Sequence, residues 1–297
     1  MAVGNTITDS LADSIPTMIA SARIVREFAG VMPNLVDRQR LDENTGLSWN
    51  EVSMAKLSAQ AVTESTELDN PQQMSDTLFS ITPTVIGVNT VITDRVAIRI
   101  AANAYAQTGS LAQNAIERKK DQDGLTAIDG ATSTVGVAGS GLTSGLIAAA
   151  AYNITSNTTE PAPANAPINV VHHGFCLKDI DDELIAAGVG ETTGAPLTAG
   201  VAVEAYQNRY RGTIAGARIY EDGNITIDSE VDAKGGVFSQ VGLVLVEGRS
   251  PYVETKRLPE LGGGATALYF YDEYAYGERS SGNWVYECIA DATAPTS

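Results

Sequence analysis

The 297-residue chain carries 36 acidic side chains against 19 basic ones, a formal net charge of −17. That balance argues against a nucleic-acid-recognising module, which needs clustered Lys and Arg to neutralise phosphates. A hydrophobic share of 43% with 19% charged residues argues against wholesale disorder, and the longest apolar run, Gly145 to Tyr152, is far too short to span a bilayer.

The first residues, MAVGNTITDSLADSIP, have neither a basic nor an apolar leader region, so a soluble chain made in the cytosol is expected. Ser14 and Pro16 predict a helix start, because Ser caps and Pro is tolerated in the first turn. Ile15, Met18, Ile19, Ala22, Val25 and Ala29 follow helical spacing, and Met32-Pro33 is the expected end. Arg23, Arg26, Arg38 and Arg40 give this stretch its positive charge.

Between Gly46 and Thr93 the texture changes. LSWNEVSMAKLSAQAV, TESTELDNPQQMSD and TLFSITPTVIGVNTVIT read as strand, polar tip and strand, with Asp69-Asn70-Pro71 as turn chemistry. Pro83 is incompatible with a central strand. A long two-stranded arm has no adequate core of its own, so a second copy of the chain is the expected support.

Thr93 caps a long helix from Asp94 to about Lys120, with Val96, Ile100 and Ala104 in one row and Ala97, Ala101 and Tyr105 in the next. Asp94 suits the positive end of the helix dipole, and Arg118, Lys119 and Lys120 suit the negative end. Such a helix spans roughly 40 Å at ~1.5 Å per residue. Gly109 is a candidate bend or hinge, and Gly124 the expected stop. Thr132 to Gly145 reads as a loop or loose strand, Leu146 to Tyr152 as a short helix, and SNTTEPAPANAP as an exposed connection. A buried strand is expected over Ile168 to Phe175, an acidic helix over Leu177 to Ala187, and a further helix over Ala199 to Tyr210. GTIAGARIYED, GGVFSQVGLVLVEG, ATALYFYDEYAYG and NWVYECIAD then read as strands. Segregated helices and strands favour an α+β fold over a doubly wound one.

The residues that carry chemistry elsewhere read as structural here. Cys176 and Cys288 are expected to be buried free thiols. His172 and His173 are adjacent on a strand and face opposite sides, whereas zinc needs about four converging ligands; no metal site and no cofactor is expected. Asp121-Gln-Asp-Gly124 lacks the remaining oxygen positions and closing Glu of a calcium loop. Gly139 to Gly145 lacks the spacing of a dinucleotide fingerprint and the lysine of a phosphate loop. Asp179, Asp181, Asp182 and Glu183 point several ways from consecutive helical positions and read as a solvated first turn, not an acid–base pair.

The order of these elements resembles the Hong Kong 97-type major capsid fold of tailed bacteriophages. TIAGARIYED (213–222) resembles that family's G-x-I-x-G-x-x-V-Y-E strand pair, with Ile219 in place of valine. LVLVEGRSPYVETKRLPELGGGATALYFYDEYAYG resembles its closing peripheral strands, and GERSSGNWVYECIADA its last strand. The resemblance covers nearly the whole chain. It implies an N-terminal arm over 1–45, an extended E-loop hairpin over 46–93, and a spine helix with the first part of the peripheral domain over 94–131. It further implies an axial domain over 132–232, with peripheral strands and the C-terminus over 233–297. The implied function is a non-enzymatic head protein that self-assembles as pentamers and hexamers into an icosahedral shell. Such a shell encloses double-stranded DNA without specific binding, its subunits being made in the host cytoplasm and located in the virion capsid, with no membrane.

Trp49, Lys56, Phe79, Arg23 and Arg26 are the expected inter-subunit contacts. Portal and decoration proteins are possible partners under this resemblance; scaffolding is expected to be a separate protein or unnecessary, because the arm is short. The isopeptide crosslink known in the family has no identifiable partner for Lys56 here. An encapsulin-type shell around enzyme cargo shares the fold and is one alternative. A soluble enzyme with a site near His172 is the other.

Overall fold

The computed structural model describes residues 30–59, 61–64, 71–99, 104–156, 163–164, 167–188, 212–261, 263–280 and 282–296. The helix expected over Ser14 to Met32 and the one over Ala199 to Tyr210 lie outside these residues, apart from the first one's last three positions. Met32-Pro33 does not end a helix. It opens a short one, α1 (Met32–Leu35), with Pro in the first turn, where its missing N–H costs nothing.

Two sheets and one long helix organise the α+β chain. Strand β1 (Asp37–Arg40) lies parallel to β10 (Leu243–Glu247). β10 and then β11 (Tyr252–Leu258) run antiparallel along one side of the 14-residue β12 (Ala265–Glu278). β4 (Thr84–Thr93) covers the other side of β12 from Thr84↔Tyr274 to Thr93↔Ala265. The second sheet runs in the order β5 (Ser133–Gly136), β13 (Val285–Asp291), β9 (Asp232–Ser239), β6 (Ile168–His172), β8 (Ala217–Glu221), β7 (Thr213–Ile214). The segment 233–297 is therefore divided: its first and last strands belong to the six-stranded sheet and the strands between them to the five-stranded one.

β2 (Trp49–Met54) and β3 (Asp76–Ile81) form a separate two-stranded ribbon. The single second strand expected over Thr77 to Thr93 is in fact two strands. It divides at Thr82-Pro83, where Pro removes a ladder donor, and β4 beyond it sits inside the core sheet and not in a free arm.

Helix α2 (Asp94–Arg99) begins where β4 ends, held by the Asp94 N–H to Gly264 O bond (2.9 Å) and by an ion pair from Arg257 to the Asp94 carboxylate. Helix α3 (Ala104–Asp129) follows and runs straight through the expected stop at Gly124. The reason is packing. A Cβ on Gly124 would sit 2.9 Å from the Met32 Cβ and 3.1 Å from the Tyr276 ring, so Gly is there for close approach and not for a left-handed cap. Ala112, Ile116, Leu125 and Ile128 are buried on the same helix.

Three smaller expectations shift likewise. β5 replaces part of the expected loop; α4 (Ser144–Ser156) is longer than Leu146 to Tyr152, burying Ile147, Ala150, Ala151 and Ile154 at i, i+3, i+4, i+7. β6 stops at His172, and α5 (Gly174–Gly188) takes over three residues before the expected helix start. The main core joins Ile128, Ile147, Ile154, Val170, Ile180, Val237, Phe238, Leu245 and Val285 across both sheets and the helices.

Candidate functional site

The ribbon β2–β3 is the part of the described chain whose side chains are least accounted for by its own fold. Alternation puts Trp49, Glu51, Phe79 and Ile81 on one face and Asn50, Val52, Met54, Leu78 and Ser80 on the other. The first face seats the base of the ribbon on the molecule itself. Ile81 is buried with Val244 and Val246, and Trp49 and Phe79 meet edge to face at 6.2 Å beside Leu41 and Ala275. Arg279 reaches up from the end of β12 and donates to Glu51 (2.7 Å) and Asp37 (2.9 Å), while Ser48 and Thr82 hydroxyls meet at 2.6 Å across the base. A long hairpin wholly without support on its own chain, as expected from the sequence, is thus corrected at its base.

The second face has no such cover. Val52 and Leu78 stand directly opposite each other across the two strands, 53% and 64% exposed, with Met54 at 68%. Leu57, Val62 and Met74 continue the apolar exposure toward the tip. The distal arms are joined by the Ala55 N–H to Ser75 O bond (3.0 Å) and by the Ser58 N–H to the Gln72 amide oxygen (2.8 Å). A contiguous apolar surface of this kind marks an interaction site on a folded protein, and a two-stranded ribbon this thin gains little stability alone.

Of the contacts expected from sequence, Trp49 and Phe79 lie at the ribbon base, against the chain's own core. Lys56 lies just past β2 on the exposed distal arm. Arg23 and Arg26 lie outside the described residues. Gly109 is within α3, and a Cβ there would meet nothing within 4 Å. Val52, Met54 and Leu78 were missed, although strand alternation places them on the face opposite Trp49 and Phe79.

The remaining chemistry-bearing residues have structural employment. His172 is fully buried at the end of β6; its Nδ1 accepts the His173 N–H (3.0 Å), so the ring carries its proton on Nε2, which donates to Cys288 O (3.2 Å). Burial holds its pKa down at about 4, with the Cys288 carbonyl opposing in part. Cys176 and Cys288 are free and buried, and burial pushes both thiols up to about 12, far from a reactive thiolate. The acidic run of α5 caps α4: Asp179 accepts the Leu142 N–H (3.2 Å), and Glu183 accepts the Ser144 N–H (2.7 Å) and hydroxyl (2.8 Å). Gly139 in the glycine-rich loop donates to Asp232 (2.7 Å). Asp121 to Gly124 lies inside α3 and is no loop at all. Among the described residues no group of three or more His, Cys, Asp or Glu is placed to hold a metal ion, and no helix is long and apolar enough to cross a membrane.

The depressed His172 pKa has a measurable consequence. The unfolded chain takes up a proton at this side chain near pH 6.5 and the folded one only near 4, so its contribution to stability is present above pH 6.5 and lost as pH falls toward 4. The loss expected at pH 4 is on the order of 3 kcal/mol, read as the difference between the urea-unfolding profiles of the wild type and His172→Gln. With only two histidines in the chain, an imidazole resonance of His172 that titrates near pH 6.5 would contradict it.

No protein-family model and no curated protein matches the chain. Solved structures do match, at a TM-score of 0.69 and 13% identity for the capsid of the cyanophage P-SCSP1u, over 98% of this chain and 97% of that one. The capsid of Ralstonia phage GP4 matches at 0.68 and 11% identity, over 94% and 95%. A protein of Mycobacterium phage Che8 matches at 0.69 and 16% identity, over 92% and 96%. With both sheets, the long helix and the protruding ribbon inside the matched span, the chain has the fold of these phage capsid proteins.

Proposed function

We propose that the chain is the major capsid protein of a phage head, which works by assembling copies of itself into a closed shell. The observation that carries this reading is the likeness in fold to phage capsid structures over most of both chains, 98% and 97% for the cyanophage capsid and 94% and 95% for the Ralstonia phage capsid. The uncovered face of the β2–β3 ribbon supplies the mechanism. In the Hong Kong 97-type arrangement the ribbon is the E-loop: the Val52, Met54 and Leu78 face lies across a neighbouring subunit, burying there what the chain leaves exposed. On this reading residues 1–45 are the N-arm that reaches an adjacent subunit, helix α3 belongs to the spine, and residues 132–232 form the axial domain that converges at the symmetry axes. Gly109, with open space around it, is the point at which the spine bends between inequivalent lattice positions.

The net charge of −17 fits a wall that does not adhere to packaged double-stranded DNA. Portal, decoration and any separate scaffolding proteins are the partners this role implies. An enzyme built around His172 has no support, because both ring nitrogens are engaged inside the core. Electron microscopy of the purified, concentrated protein is the test. Icosahedral shells or ring-shaped capsomers are expected; a chain that stays a monomer or small oligomer at every concentration and salt condition refutes the reading.

A further inference from the structure

Where the chain emerges from the undescribed N-terminal residues, its backbone is pinned by two buried carboxyl groups far away in sequence. Asp121, on α3, is fully buried and accepts the Met32 N–H through Oδ1 (2.9 Å). Asp222, just after β8, is 1% exposed and takes the Val31 N–H. Gly30 lies so close that a Cβ there would be 2.6 Å from the Asp121 Cβ. Three successive residues of the entering segment therefore rest on this pair.

The pair itself is short of donors. Asp222 Oδ1 accepts the Asn224 N–H (2.8 Å), and the Asn224 amide donates to Asp121 Oδ2 (2.9 Å). Among the described residues no donor faces the buried Asp222 Oδ2, and Asp121 is its carboxyl neighbour. The groups around them, among the described residues, add no positive charge. Lys120, adjacent on α3, is turned to Glu247 on β10 (3.0 Å) and Asp272 on β12 (3.1 Å). Tyr276 on β12 presents a buried hydroxyl without a partner, held neutral by burial and by the charge on Asp121. His172 on β6 offers Asp222 only its carbonyl, which accepts the Asp222 N–H (3.1 Å). Two like charges in such a place repel strongly, and one proton held between them satisfies the orphaned oxygen and removes the repulsion.

We propose that a proton held on Asp222 against the neighbouring Asp121 carboxyl makes the pair a latch on the segment Gly30–Met32, closed while the proton is bound and loosened when it leaves. Burial, with the neighbouring Asp121 carboxyl second, pushes the Asp222 pKa up to about 7. A carboxyl raised in this way stabilises the closed form below the ordinary carboxylate range, and the contribution disappears as pH rises through 7. The two neighbouring carboxylates then repel each other, and the entering segment is released from its anchor. The latch acts inside one subunit and does not depend on the shell reading. Under that reading it sets how firmly the arm is tethered while it engages a neighbour.

Amide hydrogen exchange followed by mass spectrometry over peptides spanning residues 30–35, corrected for the intrinsic rate, tests it between pH 5.5 and 8.5. Protection of the wild type is expected to fall roughly tenfold or more across that range. Asp222→Asn keeps protection high throughout, because its amide donates where that proton stood, and Tyr276→Phe leaves the wild-type profile in place. Flat wild-type protection overturns the latch without needing any variant; so does an undiminished pH dependence in Asp222→Asn. Failure to form particles would count against the shell while leaving this result standing.

Discussion

Val52→Lys combined with Leu78→Asp is expected to abolish closed particles while leaving the subunit folded. Both side chains are more than half exposed in the single chain, so replacing them should change subunit stability by no more than about 0.5 kcal/mol. The opposite charges face each other across the two strands, which keeps the ribbon paired. In an assembled lattice the balance is different. Each buried aliphatic side chain contributes roughly 1.5–3 kcal/mol, and that is lost twice per subunit before the cost of desolvating the new charges. A total of about 3–6 kcal/mol corresponds to roughly a hundredfold or more in the concentration needed for assembly. Sedimentation velocity and electron microscopy, beside a thermal melt of the unassembled subunit, separate the two effects. Particles at the wild-type concentration would mean that this face looks into solvent in the shell.

That prediction rests on a feature half legible in the sequence. Strand-like stretches on either side of the turn residues Asp69-Asn70-Pro71 were enough to place a two-stranded ribbon. Which face the ribbon keeps for itself was not legible, because the deciding partners, Val244, Val246 and Ala275, come from more than 160 residues away. The same limit explains β4, which looks like a continuation of the arm until its ten-residue register with β12 is known. Gly124 misled for a related reason: locally a glycine after a basic stretch signals a helix end, but its lack of a side chain serves contact with Met32 and Tyr276. Helices α4 and α5 were expected near their true positions, and the start of α4 shifted because its capping comes from another element, Glu183 accepting the Ser144 N–H. The Asp121–Asp222 pair gave no local signal at all. Each residue is unremarkable in its own segment, and only the fold sets them together.

A large loss of stability from a single methyl group is expected at the glycine pair in the middle of β9. Gly235 and Gly236 lie between β6 and β13 and are pressed from both faces of the sheet. A Cβ on Gly235 would be 2.3 Å from the Val171 carbonyl oxygen and 2.5 Å from the His172 ring; a Cβ on Gly236 would be 2.3 Å from the Ile128 Cγ2. The two positions therefore differ in what can yield. At Gly235 the obstacle includes backbone already committed to the ladder, so Gly235→Ala should cost about 3 kcal/mol or more and give mostly insoluble protein. At Gly236 the nearest obstacle is one side-chain methyl of α3, the point where the long helix sits on the sheet, with the Tyr286 carbonyl oxygen next at 3.1 Å. Gly236→Ala should cost about 1–3 kcal/mol, and Ile128→Ala about 2–5 kcal/mol through the cavity it leaves. The double variant should be more stable than the sum of the two losses, because the added methyl occupies part of the space the isoleucine vacates. Urea unfolding of the four proteins measures that coupling directly. Strict additivity would show that α3 and β9 do not meet at Ile128 and Gly236, and with it would go the seating of the long helix on which the whole arrangement of ribbon, sheets and entering segment is built.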